Sequence, residues 1–352
     1  MPVINKPNQH FDVLTWTGTG GGSGATRSIT GLNFQPDLIW EKARSSGTGH
    51  QLLDSVRGVG QNKVLASNST GDEPEAPNTE SLYGWLSSLD SGGFTVTNGT
   101  STFDNWNKSS DTYVGWTWKA GGAAVTNTSG SIQSQVSANP TAGFSVVTYT
   151  SPNTSVDETV GHGLGAVPQF IITKNRDASW NWDIYHKNLS SGYGLVFAAD
   201  APGAGRWPTT TPTSSVFSVK YNYEHVSTNK FVAYCWTPIA GYSAFGTYTG
   251  NGSTDGPFVH TGFRPAFILT KNISNGSYWW EMVDNKRVAY NTSNKTLYAN
   301  VADTEYTDAA YNKDLLSNGF KIRGNTAASN ENGSTFVYAA FAESPFKFAN
   351  AR

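Results

Sequence analysis

Two short strings carry the densest aromatic chemistry in this chain: Trp180-Asn181-Trp182-Asp183 and Tyr278-Trp279-Trp280-Glu281. Trp182 and Trp280 share a phase, as do Trp180 and Tyr278, and the matching earlier string is Thr48-Gly49-His50-Gln51. Exposed rings of this kind stack on the C–H faces of sugars, while neighbouring amides and carboxylates bind the hydroxyls. Trp180, Trp182, Tyr278, Trp279 and Trp280 are therefore the candidate glycan- or host-binding residues, joined by Trp106 and Trp207 in loop-like surroundings. The same residue types serve equally well as packing between strands.

Other chemistry is sparser. Asp54-x-x-Arg57 recurs as Asp284-x-x-Arg287, with His186-Lys187 in the intervening position. That spacing at a strand end forms a local ion pair worth about 1 kcal/mol or less. A glycosidase needs two carboxylates aimed into one cleft. No two acids pair at recurring positions, so no catalytic residue is assigned and the chain reads as a protein that is not an enzyme. Loops 68–72 and 300–303 offer oxygen ligands of the type that hold Ca²⁺, without an ordered ligand spacing. Beyond that calcium, no cofactor and no metal ligand are assigned. The histidines include no His-x-x-x-His pair for zinc. His162 and His260 stand just before Pro-led strands, where they read as turn caps. The glycine-rich stretch 18–24 is not followed by the Lys-Ser/Thr of a phosphate cradle. A single cysteine, Cys235, excludes an intrachain disulfide and reads as a small buried residue.

The elements that position these residues repeat three times. Pro36-Asp37-Leu38-Ile39-x-x-Lys42 returns as Pro168-Gln169-Phe170-Ile171-x-x-Lys174 and as Pro265-Ala266-Phe267-Ile268-x-x-Lys271. Around it lie an aromatic-Thr step (Trp16-Thr17, Tyr149-Thr150, Tyr248-Thr249) and an aromatic-x-β-branched step (Phe94-x-Val96, Phe217-x-Val219, Phe320-x-Ile322). Each copy closes on an apolar run, 113–118, 231–236 and 336–341. Short β-branched and aromatic segments separated by Gly, Asn, Ser, Thr and Pro predict strands and turns. In copy one these fall near 11–17, 26–30, 36–42, 50–54, 63–67, 93–97 and 112–118. Helix is expected only as a turn or two within 79–82 and within 308–316, where Thr79 and Asp308 can cap. The fold expected is all-β: three tandem antiparallel β-sandwiches of the jelly-roll or concanavalin type. Their bounds are 1–120, 121–240 and 241–352, with a linker over 120–143 in which the alternating stretch 131–136 reads as an extra strand. Each copy is expected to own its core instead of sharing one. The large face of the closing run (Val114, Trp116, Trp118) should point into that core, and the motif lysine should mark where the strand emerges into water. The second seam, at Ala240-Gly241, is tight, so copy one is expected to swing more than the others.

Composition narrows the setting. The chain has 352 residues, 14% of them charged, and a formal net charge of -2. That leaves no electrostatic footprint for nucleic acid or an anionic membrane. No apolar run is long enough to span a bilayer, and residues 1–10 show no apolar core of a signal peptide.

Three strings carry a resemblance: Val160-Gly161-His162-Gly163-Leu164-Gly165-x-x-Pro168-x-Phe170-Ile171-Ile172-x-Lys174, Ser137-Ala138-Asn139-Pro140-Thr141-Ala142-Gly143, and Tyr113-Val114-Gly115-Trp116-Thr117-Trp118. They are similar to repeats in virion structural and tail-fibre-like proteins of bacteriophages, particularly marine and cyanobacterial ones. The resemblance spans nearly the whole chain. It implies concanavalin- or laminin-G-like sandwiches on the outside of a virus particle, and it carries no catalytic residues. The function expected is a virion structural protein, as tail fibre, short appendage or capsid decoration, that contributes to host attachment. A carbohydrate-binding module protein of bacterial origin is the alternative, and a jelly-roll carbohydrate-active enzyme the third reading. Expected partners are other virion proteins, a host cell-surface glycan and further copies of the chain, with a trimer as the closed assembly. Virion localisation accounts for secreted-type chemistry without an export signal.

Overall fold

The computed structural model describes residues 4–73, 79–101, 105–152, 154–198, 200–220, 228–288 and 290–343. Among them the protein is all-β, with every strand ladder antiparallel. Helix is limited to the short segments Thr79–Tyr83 and Ala327–Asn330 and the 3-10 turns Pro7–Gln9 and Ala309–Tyr311. The turn expected within 308–316 is the 3-10 turn Ala309–Tyr311, capped by the Asp308 side chain, and the rest of that span is the strand Lys313–Leu316.

Each copy builds the same four-strand ladder, in the order opening, closing, motif, flanking. The opening strands are Phe11–Thr17, Phe144–Thr150 and Ser243–Thr249, and the closing strands Thr112–Trp118, Lys230–Trp236 and Thr335–Ala342. The motif strands are Leu38–Ala43, Phe170–Asn175 and Pro265–Asn272, buried at every residue, as continuous apolar runs require. The flanking strands are Gln51–Asp54, Trp182–His186 and Glu281–Asp284. Copy two widens this sheet at its opening edge with Val125–Asn127 and Ser134–Asn139, so the stretch expected as linker contains two strands. Past the flanking strand, copies two and three add Tyr193–Val196 and Lys295–Tyr298. Copy one has there a single bridge, Leu52 to Leu65, in place of the expected strand over 63–67.

A smaller sheet covers one face of each ladder: Thr26–Thr30, Trp85–Asp90 and Gly93–Thr97 in copy one, Glu158–Gly161 and Val216–Val219 in copy two, and Phe258–His260, Lys313–Leu316 and Gly319–Ile322 in copy three. The recurring aromatics fill the space between the two sheets. Trp16 stacks on Tyr113 at 5.4 Å, Tyr149 on Phe231 at 5.2 Å and Tyr248 on Phe336 at 4.7 Å. Phe94, Phe217 and Phe320 meet the first ring of each pair edge-on. In copies one and two the closing strand also turns its smaller residues, Gly115 and Thr117 or Ala233 and Cys235, to this face, because the opening ring lies across it. A Cβ on Gly115 would sit 3.3 Å from Cζ3 of Trp16.

The opposite face of all three ladders meets in one shared core. Phe11, Trp40, Trp116 and Trp118 of copy one pack in a single apolar cluster with Phe144, Ile172, Tyr234 and Trp236 of copy two and with Phe245, Phe267, Leu269 and Phe341 of copy three. The expectation that each copy closes its core alone is thereby corrected. In copies one and two the period-two alternation of the closing strand holds, but its large face points to the neighbouring copies and its small face to the copy's own core; copy three departs from it, with Tyr338 on its own-core face and Ala339 on the shared one. Copy one packs into the common cluster like the others, through Trp116 and Trp118 of its closing strand.

The motif lysines are a second correction. Lys42, Lys174 and Lys271 are fully buried, on the face of the motif strand that points to the shared core. They do not mark emergence into water. Their amines reach carbonyls in the loops at the end of that core: Lys42 donates to Ser46 O, Lys174 to Trp180 O and Lys271 to Tyr278 O. A four-carbon stem buries apolar area while the ammonium finds acceptors at its tip.

Trp118 touches Phe11 and, from the other copies, Phe144, Trp236, Phe267 and Phe341, with ring centroids 5.0–6.4 Å apart. Trp118→Ala should cost about 3–5 kcal/mol. Because the cluster is common, urea unfolding followed by circular dichroism should still show one transition, at lower urea. Separate transitions for the copies would contradict a shared core.

Candidate functional site

The copies are joined by polar contacts that run in a closed ring. At one end of the shared core, the last flanking residue of each copy reaches the closing strand of the next. Asp54 accepts from Tyr234 Oη at 2.8 Å, Asp284 accepts from Trp116 Nε1 at 3.1 Å, and His186 Nε2 donates to Tyr338 O at 3.2 Å. Both aspartates are buried, and each binds Nε of its own arginine, Arg57 at 2.5 Å and Arg287 at 2.6 Å. These pairs were expected as minor local ion pairs. Instead they are desolvated junctions, in which removing one charge strands the other. The histidine of copy two follows from its partner. Copy three has Ala339 where Tyr234 and Trp116 stand, so only a backbone acceptor is present and the junction residue must donate. Its ring Nδ1 accepts from Asn188 N at 3.2 Å, and burial lowers its pKa to about 4.

At the other end the ring runs in the opposite sense. Trp182 Nε1 of copy two donates to Ala66 O of copy one at 2.8 Å, and Trp280 Nε1 of copy three to Val196 O of copy two at 2.8 Å. His50 completes the set by donating from Nε2 to Tyr298 O at 2.9 Å while Nδ1 accepts from Trp40 Nε1 at 2.9 Å. An indole N–H only donates, so this pairing assigns the neutral tautomer with the proton on Nε2. Burial lowers the His50 pKa to about 3, with Lys42 acting in the same direction.

Above these bonds the loops of successive copies interlock. Arg44 O accepts from Glu305 N and Arg176 O from Glu73 N, both at 2.8 Å, with the side chains paired as well. Lys174 also donates to Thr70 O of copy one. Burial pulls Lys42 and Lys271 down to about 8, against the upward pull of Glu41 and Asp303 on the first and of Asp200 on the second. Within this collar lies a cleft of about 290 Å³ lined by all three copies. Asn68, Ser69 and Thr70 come from copy one, Asn181, Trp182, Phe197 and Ala198 from copy two, and Trp279, Asn300 and Val301 from copy three. Phe197 marks the centre of the ring, because it meets Trp40, Trp182 and Trp280, one from each copy, at 5.4–6.0 Å.

The expected binding residues divide accordingly. Trp182 and Trp280 are buried and act as inter-copy donors, so they are not an exposed stacking surface. Trp106 is buried in the core of copy one, and Trp207 is buried in that of copy two against Tyr185 at 5.4 Å. Neither is a loop aromatic open to a ligand. Trp180 and Tyr278 are half-buried, and their carbonyls hold the motif lysines. Trp279 alone of the set is both partly exposed and on the cleft wall, held edge-on to Tyr298 at 4.9 Å. In the loops expected to offer calcium ligands, Asn68 Oδ1 accepts from His50 N and Asn300 Oδ1 from Trp280 N. Among the described residues, no three His, Cys, Asp or Glu side chains come together as a metal set.

Two further features were not foreseen. Glu281, Lys313 and Ser329 form a buried triad in copy three, with Lys313 Nζ 2.8 Å from Glu281 Oε2 and Ser329 Oγ donating to the same carboxylate. The strand Lys313–Leu316 turns Lys313 inward, and its partners Glu281 and Ser329 lie 32 and 16 residues away, beyond any local spacing. An open groove of about 650 Å³ also crosses copy two, lined by Gln133, Gln135, Thr148, Arg176 and Lys230 among others. Its arginine is committed to Glu73.

The two junction histidines make stability depend on pH. Their folded pKa values, about 3 and about 4, lie below the ordinary 6.5, so between those limits the unfolded chain binds more protons. Stability should therefore fall as pH falls through this window, by at most about 1.4 kcal/mol per pH unit for each histidine. His186→Gln keeps a donor for Tyr338 O without a titrating group. Urea unfolding at a series of pH values should show a shallower acid slope for this variant; an unchanged slope would refute the assignment.

No curated protein matches the chain, and no solved structure does. A family profile covers residues 6–345, a span that takes in all three copies at once. The chain thus belongs to the family described as a domain of unknown function, DUF7483.

Proposed function

We propose that this chain is a structural protein of a bacteriophage particle, displayed on the tail or capsid surface and contributing to host attachment, with no turnover of its own. The observation that carries this reading is where the reactive side chains are used. Asp54, Arg57 and Tyr234, Asp284, Arg287 and Trp116, and the junction histidines His50 and His186 are all committed to holding one copy against the next. Such junctions produce a stiff body, which suits presentation at a particle surface. The virion setting is supported by the likeness of the His162–Lys174 region and its companion strings to phage repeats. Closed cyclic assembly is common in appendages, and here a ring of three is formed within one chain. Association with other virion proteins and with further copies, expected as a trimer, belongs to the same proposal.

Mass spectrometry of purified particles should find the chain at a fixed ratio to the major capsid protein, and particles lacking it should adsorb to host cells more slowly. Recovery of the chain only outside the particles would overturn the reading.

A further inference from the structure

The cleft inside the loop collar has a chemistry of its own. No ionisable side chain is among its lining residues, so a neutral ligand suits it best. Its wall is two-sided. Phe197, Ala198 and Val301 supply apolar surface, while Asn68, Asn181 and Asn300 supply amides. The Oδ1 atoms of Asn68 and Asn300 accept backbone N–H groups, which fixes each amide with its NH₂ as the unused end. Neither Nδ2 has a partner among the described residues, and the same is true of the Asn181 side chain and Trp279 Nε1. The cleft therefore offers several donors and one partly exposed aromatic ring to an acceptor-rich, amphipathic guest. Its volume lies near the lower end of small-molecule sites. The copies also differ at equivalent positions: copy two has Ala198 where the others have Asn68 and Asn300. A symmetric ion would gain nothing from that break, whereas an asymmetric molecule would.

We infer that this three-copy cleft binds one neutral pyranose residue of a glycan, its C–H face against the Trp279 and Phe197 side and its oxygens on the amides of Asn68, Asn181 and Asn300. The inference deepens the attachment role proposed above, naming the ligand class and the place of contact. It differs from the exposed tryptophan pair expected from the sequence, because Trp182 here lies in the wall and Trp280 beneath it.

The test uses the full chain with the methyl glycosides of glucose, galactose and N-acetylglucosamine, read by saturation-transfer NMR. At least one should receive saturation, concentrated on the ring protons of one face. Asn181→Ala removes an amide with no protein partner, so it should leave the urea midpoint unchanged and weaken binding about fivefold, the loss of one hydrogen bond to a neutral group. Ala198→Trp, which fills the cleft, should abolish transfer. Silence from all three glycosides, or transfer that survives both substitutions, would overturn the inference. Its failure is separable from that of the particle role. A chain that binds no sugar yet is found in virions would lose only this site, and one that binds sugar yet is absent from virions would lose only the setting.

Discussion

Burial of the closing strand on both faces is the constraint on which the rest of this structure depends. A strand whose alternate residues are all apolar cannot leave either side in water without losing the transfer free energy of several large side chains. One side is covered by the copy's own smaller sheet. The other carries Trp116 and Trp118, or Tyr234 and Trp236, or Val337 and Phe341, and only another copy offers a matching apolar face. Three ladders that each need such a cover satisfy one another by closing into a ring. The polar junctions then follow, since groups at the ends of a dry core must find partners or stay solvated.

The ring explains differences between copies that look like drift when the repeats are aligned. An aspartate is suitable at the junction where the neighbour presents a phenol or an indole N–H, and a histidine where it presents only a carbonyl. A histidine replaces tryptophan at position 50 because Trp40, present only in copy one, must itself find an acceptor. Each exchange keeps every donor matched to an acceptor. Lys42, Lys174 and Lys271 do not vary in type, because each meets the same demand, a cation able to bridge a buried strand end and a ring of loop carbonyls.

Much of the fold was legible in the residues. The aromatic-Thr and aromatic-x-β-branched steps proved to be the ring triads of the three small cores, such as Trp16, Tyr113 and Phe94, and the all-β class followed from strand and turn punctuation. Alternation in a strand says that two faces differ, but not which face meets which neighbour, so Trp116 and Trp118 were assigned inward when they point across. The partners of Asp54 and Trp182 lie more than a hundred residues away, and no local spacing encodes them. The candidate site was legible only in part, through Trp279 and Trp182. Its other walls come from loops that meet only after the ring closes. A buried lysine reads as an exposed one unless the acceptors waiting for its amine are known.

Phe197 has a consequence beyond packing. Its counterparts are Ser67 in copy one and Ala299 in copy three, and Ser67 Oγ bonds to Ala299 O at 2.5 Å beside it. The centre of the ring has room for one large side chain and two small ones. Three identical subunits could not supply that combination: three phenylalanines would collide there, and three alanines would leave a void. The copies have thus ceased to be interchangeable. The ring tolerates only one cyclic order of its copies along the polypeptide.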